Sequence, residues 1–161
     1  MNTSDEKTEW LRAWDVHPRF LPVLQDWDSR RGILLAADDG SEEEAVPNLL
    51  ALWSPDHTVE VQPSFSEEQW REATTLLREK QIQEGLFSGP FPKRICLIIH
   101  RLDECPRWML SSLQGRFERS PRPFWCIATT SQLEKILGQY RSVFSEWRKI
   151  GHQKRESRKQ G

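Results

Sequence analysis

Gly32-Ile33-Leu34-Leu35-Ala36-Ala37, then Asp38-Asp39-Gly40-Ser41, then Glu42-Glu43-Glu44 and on to Trp53, reads as strand, turn and helix. The first segment is a short continuous apolar run, the second has turn chemistry, and the third has helical length. The same unit recurs downstream. Thr58-Val59-Glu60-Val61 is a second strand, closed by Pro63, and Ser66-Glu67-Glu68-Gln69 carries the Ser-x-x-Gln pattern of a capping box at a helix start. Trp70, Ala73, Leu76, Leu77 and Ile82 give that helix an apolar face. After the loop Ser88-Gly89-Pro90-Phe91-Pro92, the run from Arg94 to Ile99 is the most apolar of the chain and is expected at the centre of a sheet, buried on both faces. Pro106 falls near the first turn of a helix bearing Trp108, Met109, Leu110 and Leu113, with Pro121 and Pro123 in the loop beyond it. Phe124-Trp125-Cys126-Ile127-Ala128-Thr129 is a further buried strand, a helix is expected from about Ser131 to Leu137, and Ser142-Val143-Phe144 is a candidate fifth strand.

Strands alternating with helices, most of them continuous apolar runs, predict an α/β fold: a mainly parallel five-stranded sheet with helices on both faces and right-handed crossovers. The 161 residues suit one domain, expected over 1–147 with a flexible basic tail over 148–161. Eight Trp and seven Phe supply a core despite a charged fraction of 29%. Trp10, Trp14 and Trp27 suggest an N-terminal helix packed on the sheet. No apolar run reaches the roughly 20 residues of a membrane helix, and the polar start Met1–Glu9 is not a signal peptide, so a cytoplasmic location is expected. Cys96, Cys105 and Cys126 form no CxxC pair and the four His are scattered, so neither a disulfide framework nor a metal site is expected. Residues 1–70 hold 15 Asp/Glu against 5 Lys/Arg, while residues 71–161 hold 9 against 18. Such polarity either steers the chain toward an anionic partner or cancels across a folded surface.

Parallel α/β sheets place ligands at the carboxyl ends of their strands, which makes the turn after Ala37 the first candidate site. A phosphate loop of the form GxxxxGK[ST] needs Gly at its bends, a Lys for the β/γ oxygens and Ser/Thr for magnesium. Set on that spacing, Ala37 takes the first Gly position, and Glu42, Glu43 and Glu44 take those of the second Gly, the Lys and the Ser/Thr; Gly40 alone suits a tight turn. Five carboxylates between 38 and 44 would repel a triphosphate. The same residues also make an ordinary acidic helix start, favoured by the helix dipole.

From Leu97 to Phe144 the chain resembles the AAA+ core of bacterial clamp-loader subunits, the delta-prime and gamma/tau subunits of DNA polymerase III. Leu97-Ile98-Ile99 followed by His100-Arg101 stands where that family has its Walker B strand and acidic pair. The stretch from Leu110-Ser111-Ser112-Leu113-Gln114 to Phe117-Glu118-Arg119-Ser120-Pro121 looks like its paired-leucine segment, and Trp125-Cys126-Ile127-Ala128-Thr129-Thr130 is similar to its sensor-1 strand. Ser54-Pro55-Asp56-His57 through Pro63, and the helix from Glu68 to Leu77, look like upstream parts of the same core, so the resemblance spans about 17–145.

The departures from that family are chemical. His100 and Arg101 replace the Walker B acids, which leaves no pair to hold magnesium. Asp103-Glu104 falls just past the strand, where an acidic pair is ordinarily a cap. Arg141 lies near the family's arginine-finger position without the surrounding Ser-Arg-Cys motif. Clamp-loader subunits continue into a lid and a collar, whereas here a tail follows Trp147. The resemblance therefore implies a degenerate AAA+ core with no cofactor, acting through contacts with clamp-loader or other replication proteins. An adaptor using Arg148, Lys149, Lys154, Arg155, Arg158 and Lys159 for weak, non-specific DNA binding is the alternative, and an ATPase built on Asp103, Glu104 and Thr129 ranks last.

Overall fold

The computed structural model describes residues 9–16, 31–87, 95–119 and 125–150. The elements run β1 (Arg31–Ala36), α1 (Ser41–Trp53), β2 (His57–Val61), α2 (Glu67–Phe87), β3 (Ile95–Ile99), α3 (Arg107–Arg119), β4 (Trp125–Thr130), α4 (Gly138–Arg141) and β5 (Ser145–Arg148). Single 3-10 turns occupy Glu9–Ala13, Leu102–Glu104 and Leu133–Lys135. The strands form one sheet in the order β2-β3-β4-β1-β5. All four strand pairings are parallel.

β3 and β4 are buried along their whole lengths, as their unbroken apolar runs require. Two cores flank the sheet. One packs Trp70, Ala73 and Leu77 of α2 and Met109 and Leu113 of α3 against Leu97, Ile99 and Ala128. The other packs Ala45, Val46 and Leu49 of α1, with Leu11 and Trp14, against Ile33, Leu35, Ile98 and Ile127. Helices thus cover both faces. The capping box forms reciprocally at α2: the Ser66 backbone N–H donates to Gln69 Oε1 at 2.8 Å, and the Gln69 N–H donates to Ser66 Oγ at 3.2 Å.

Four sequence expectations shift. The fifth strand is 145–148, not 142–144: Val143 and Phe144 follow α4 in a turn, and the Phe144 ring meets Phe117 edge-on at 5.9 Å beneath the sheet. The helix expected over 131–137 is a 3-10 turn at Leu133–Lys135, and α4 begins at Gly138. The N-terminal segment is a 3-10 turn whose Trp14 bridges antiparallel to Lys149, which extends the edge beside β5. Leu76, assigned to the apolar face of α2, is 44% exposed. Trp27, the loop 88–92, Pro121, Pro123 and the side chain of Ile82 lie outside the described residues.

Gly32 is required by close approach. A Cβ there would lie 2.8 Å from the Val143 carbonyl oxygen and 2.9 Å from the Phe144 ring, so the turn before β5 packs directly on the β1 backbone. Cys96, Cys105 and Cys126 are free and buried, and burial pushes the Cys105 thiol up to about 12. None is poised as a thiolate at neutral pH.

Candidate functional site

At the carboxyl end of β1 the Ala37 N–H donates to the Thr130 carbonyl of β4, and the chain turns through Asp38, Asp39 and Gly40 into α1. Gly40 sits at φ +88°, in the left-handed region that glycine enters without strain. Asp39 organises the turn. Its Oδ1 accepts the Ser41 N–H at 3.0 Å and its Oδ2 accepts from Lys149 Nζ at 2.7 Å; the same ammonium also donates to Ser41 Oγ. Lys149 and Ser41 together hold the Asp39 carboxyl well below the usual carboxylate range.

Lys149 reaches this turn because β5 runs parallel to β1, Ala36 opposite Arg148, and the Lys149 N–H donates to the Ala36 carbonyl. This corrects the expected tail. Arg148 is the last residue of β5, 3.4 Å from Glu146 through Nη2, and Lys149 is bonded to the turn, so neither begins a free basic segment. Lys154, Arg155, Arg158 and Lys159 lie outside the described residues.

Glu43, at the position of a phosphate-loop lysine, ties three elements together. Its Oε1 accepts from Thr129 Oγ1 of β4 at 2.8 Å, and its Oε2 lies 2.8 Å from His100 Nδ1 at the end of β3. On its other side His100 approaches Glu60 of β2, with Nε2 3.7 Å from Oε1. Thr129 is fully buried; besides donating to Glu43 it accepts the Arg101 backbone N–H at 2.9 Å. Where a phosphate loop sets a cation on α1 facing an acid on β3, this chain sets an acid on α1 facing an imidazole on β3.

The neighbouring positions point elsewhere. Arg101 adopts φ +53° and its guanidinium turns to Glu104 at 3.2 Å, half-exposed. Asp103 accepts from Thr130 Oγ1 at 2.7 Å, and Thr130 in turn accepts the Gln132 N–H. Asp103 and Glu104 are therefore spent on different partners. Among the described residues no three His, Cys, Asp or Glu side chains are grouped to hold a metal ion. Glu44 is exposed, whereas Glu42 is 8% exposed and its Oε2 has no partner among the described residues. Burial, with the Glu43 and Asp39 charges nearby, pushes the Glu42 carboxyl above its ordinary value. Arg141 is bound within its own chain. Its Nε and Nη2 meet the two Glu146 carboxylate oxygens at 3.0 and 2.6 Å, in the bidentate geometry that suits guanidinium to carboxylate.

These side chains do not fit a magnesium triphosphate. Asp39, Glu42 and Glu43 are acceptors where phosphate oxygens need donors, and the Lys149 ammonium at the turn is already shared between Asp39 and Ser41. What the arrangement does is latch α1 to the ends of β3, β4 and β5. Sequence reading missed Lys149 at the turn, the Glu43–Thr129 bond and the Arg141–Glu146 pair. Of these, only the five-residue spacing of Arg141 and Glu146 left a local signal.

Among solved structures the chain is similar to Thermotoga maritima RuvB, the Holliday junction branch migration motor, at 13% identity and TM-score 0.57 over 80% of this chain and 42% of that one. It is similar to a DNA polymerase III gamma subunit-related protein of Thermotoga maritima at 13% identity and TM-score 0.55, covering 80% of this chain and 43% of that one. It also matches the P-loop NTPase domain of an Escherichia coli sigma-54 transport activator at 14% identity and TM-score 0.51, covering 89% and 96%. The chain spans less than half the length of the first two. No family model matches the sequence, and no curated protein matches it. Among the described residues no helix is long and apolar enough to cross a membrane. At these identities the likeness shows the fold alone, and that fold is the P-loop NTPase-like α/β architecture.

Proposed function

We propose that this chain is a catalytically silent AAA+-like module that serves DNA replication through protein contacts, in the manner of a clamp-loader subunit that hydrolyses nothing. The observation that carries the silent part is Glu43, which stands at the phosphate-loop lysine position and is committed to Thr129 and His100. An anionic latch there sets a carboxylate where a γ-phosphate needs a donor, and His100 and Arg101 supply no carboxylate for magnesium. The replication setting is supported by the order of motifs from Leu97 to Phe144 and by the likeness in fold to a DNA polymerase III gamma subunit-related protein.

The adaptor reading loses part of its basis, since two of its six basic residues, Arg148 and Lys149, are engaged in β5 and at the turn. Affinity capture of the tagged chain from its own cells at moderate salt, with mass spectrometry of what is retained, tests the setting. Recovery of replicative polymerase or clamp-loader subunits is the expected result. Their absence, with the bait folded and abundant, refutes the replication role.

A further inference from the structure

On the sheet face opposite α1, helices α2 and α3 leave an open groove of about 320 Å³. Its wall is aromatic: Trp70 and Trp108 meet edge-on at 6.4 Å, and Trp70 is fixed by donating its indole N–H to Ser112 Oγ at 2.9 Å. Its charge is cationic. Arg71 of α2 and Arg116 of α3 line the groove, with Glu67 its one carboxylate among the described residues, and Arg78 lies near enough to Arg116 to disfavour its charge. Among the described residues no carboxylate pairs with Arg71, Arg78 or Arg116. Arg116 Nε is buried without a hydrogen-bond acceptor, and burial and Arg78 both press on its charge. A donor of this kind, held beside two indoles, lacks an anion.

We propose that the groove between α2 and α3 docks an acidic segment of a partner protein, one carboxylate bridging Arg71 and Arg116 while an adjacent apolar side chain lies on Trp108, which the buried Trp70 backs. This rests on the reading that the chain works through protein contacts, and it names the chemistry of one such contact. Guanidinium meets carboxylate in a planar fork, and Trp and Arg are the side chains that most often anchor interfaces. A polypeptide suits the site better than a nucleic acid, because Glu67 at the groove repels a continuous run of phosphates.

The test is selection of a random-peptide display library on the intact chain, followed by fluorescence anisotropy of the enriched peptides against wild type, Arg116→Gln and Arg71→Gln. The expected result is enrichment of Asp or Glu next to Phe, Trp or Leu, with affinity falling about tenfold in each variant. Arg71 is exposed, so Arg71→Gln keeps the test decisive if Arg116→Gln fails to fold. Enrichment without acidic residues, or equal binding to wild type and a folded variant, overturns the proposal. So does a single-stranded oligonucleotide that binds the chain and is weakened by Arg71→Gln while acidic peptides are not. ATP binding at the turn after β1 would sink the silent-module reading and leave this result untouched, so the two failures are separable.

Discussion

Truncating Glu43 tests the latch. Glu43→Ala removes the acceptor of the Thr129 hydroxyl, a bond from a fully buried donor to a carboxylate, for which about 1.5–3 kcal/mol is the ordinary contribution. The contact with His100 adds at most about 1 kcal/mol, because the Glu43 side chain is 42% exposed and solvent screens it. A few tenths return through relief of repulsion with Asp39 and Glu42, so the net loss is about 2–3 kcal/mol. For a domain of this size that lowers the melting midpoint by roughly 5–10 °C. Thr129→Val deletes the same bond from the other side, and the double variant is expected to lose less than the sum, with a coupling of at least about 1 kcal/mol. Urea unfolding of the wild type and three variants, with the denaturant slope unchanged, reads the cycle. A Glu43→Ala midpoint within about 1 °C of wild type, or losses that simply add, refutes the latch.

Gly32→Ala is expected to cost about 1–3 kcal/mol, because its Cβ would lie 2.8 Å from the Val143 backbone carbonyl oxygen and force backbone to shift; an unchanged midpoint in differential scanning calorimetry contradicts the packing of the Phe144 turn on β1. Glu42 behaves oppositely to the other acids. Its carboxyl is raised above 4.5 in the fold, so its ionisation destabilises the fold as pH rises from the unfolded value through the raised one, and the loss persists at neutral pH. Glu42→Gln is therefore expected to raise the midpoint at neutral pH and to make no difference at acid pH below the unfolded value, a contrast that urea melts at both ends would read. The Arg141 hydrogen bonds lower the Glu146 carboxyl below 4.5, so that pair adds stability present above 4.5 and lost as pH falls through the lowered value. Glu146→Gln is expected to flatten this acid limb of the stability profile, and an unaltered limb counts against the pair.

The strands that could be read from sequence were those whose burial is written into consecutive residues. Ile95–Ile99 and Trp125–Thr130 are apolar because both faces of a central parallel strand are covered. Ser145–Arg148 carries one buried residue, Trp147, since an edge strand half open to solvent needs no more, and the nearby apolar pair Val143-Phe144 drew the expectation to the wrong place. Trp14 was legible as core, but not as the residue that pairs with Lys149, because such pairing follows from topology.

The candidate site divides in the same way. The spacing from Ala37 to Glu44 reported which residues replace the phosphate-loop donors, and the charge argument follows from that alone. Residues 43, 100 and 129 are far apart in the chain and meet only because α1 begins where β3 and β4 end, at the carboxyl edge of the sheet. Lys149 was read by its basic neighbours as part of a tail, whereas the register of β5 on β1 brings it to Asp39. The α2–α3 groove left no trace in the helical periodicity, which reports the face a helix packs and not the gap between two helices.

At the turn after β1, Glu43 is bonded to Thr129 and His100 and Asp39 to Lys149, and the proposed silent module requires that nucleotide does not displace these contacts. Calorimetric titration of the intact chain with ATP and magnesium, at neutral pH and low salt, is the most direct test. The expected result is no saturable heat and no rise in melting temperature up to about 1 mM nucleotide. Saturable binding with a Kd below about 100 μM would contradict it.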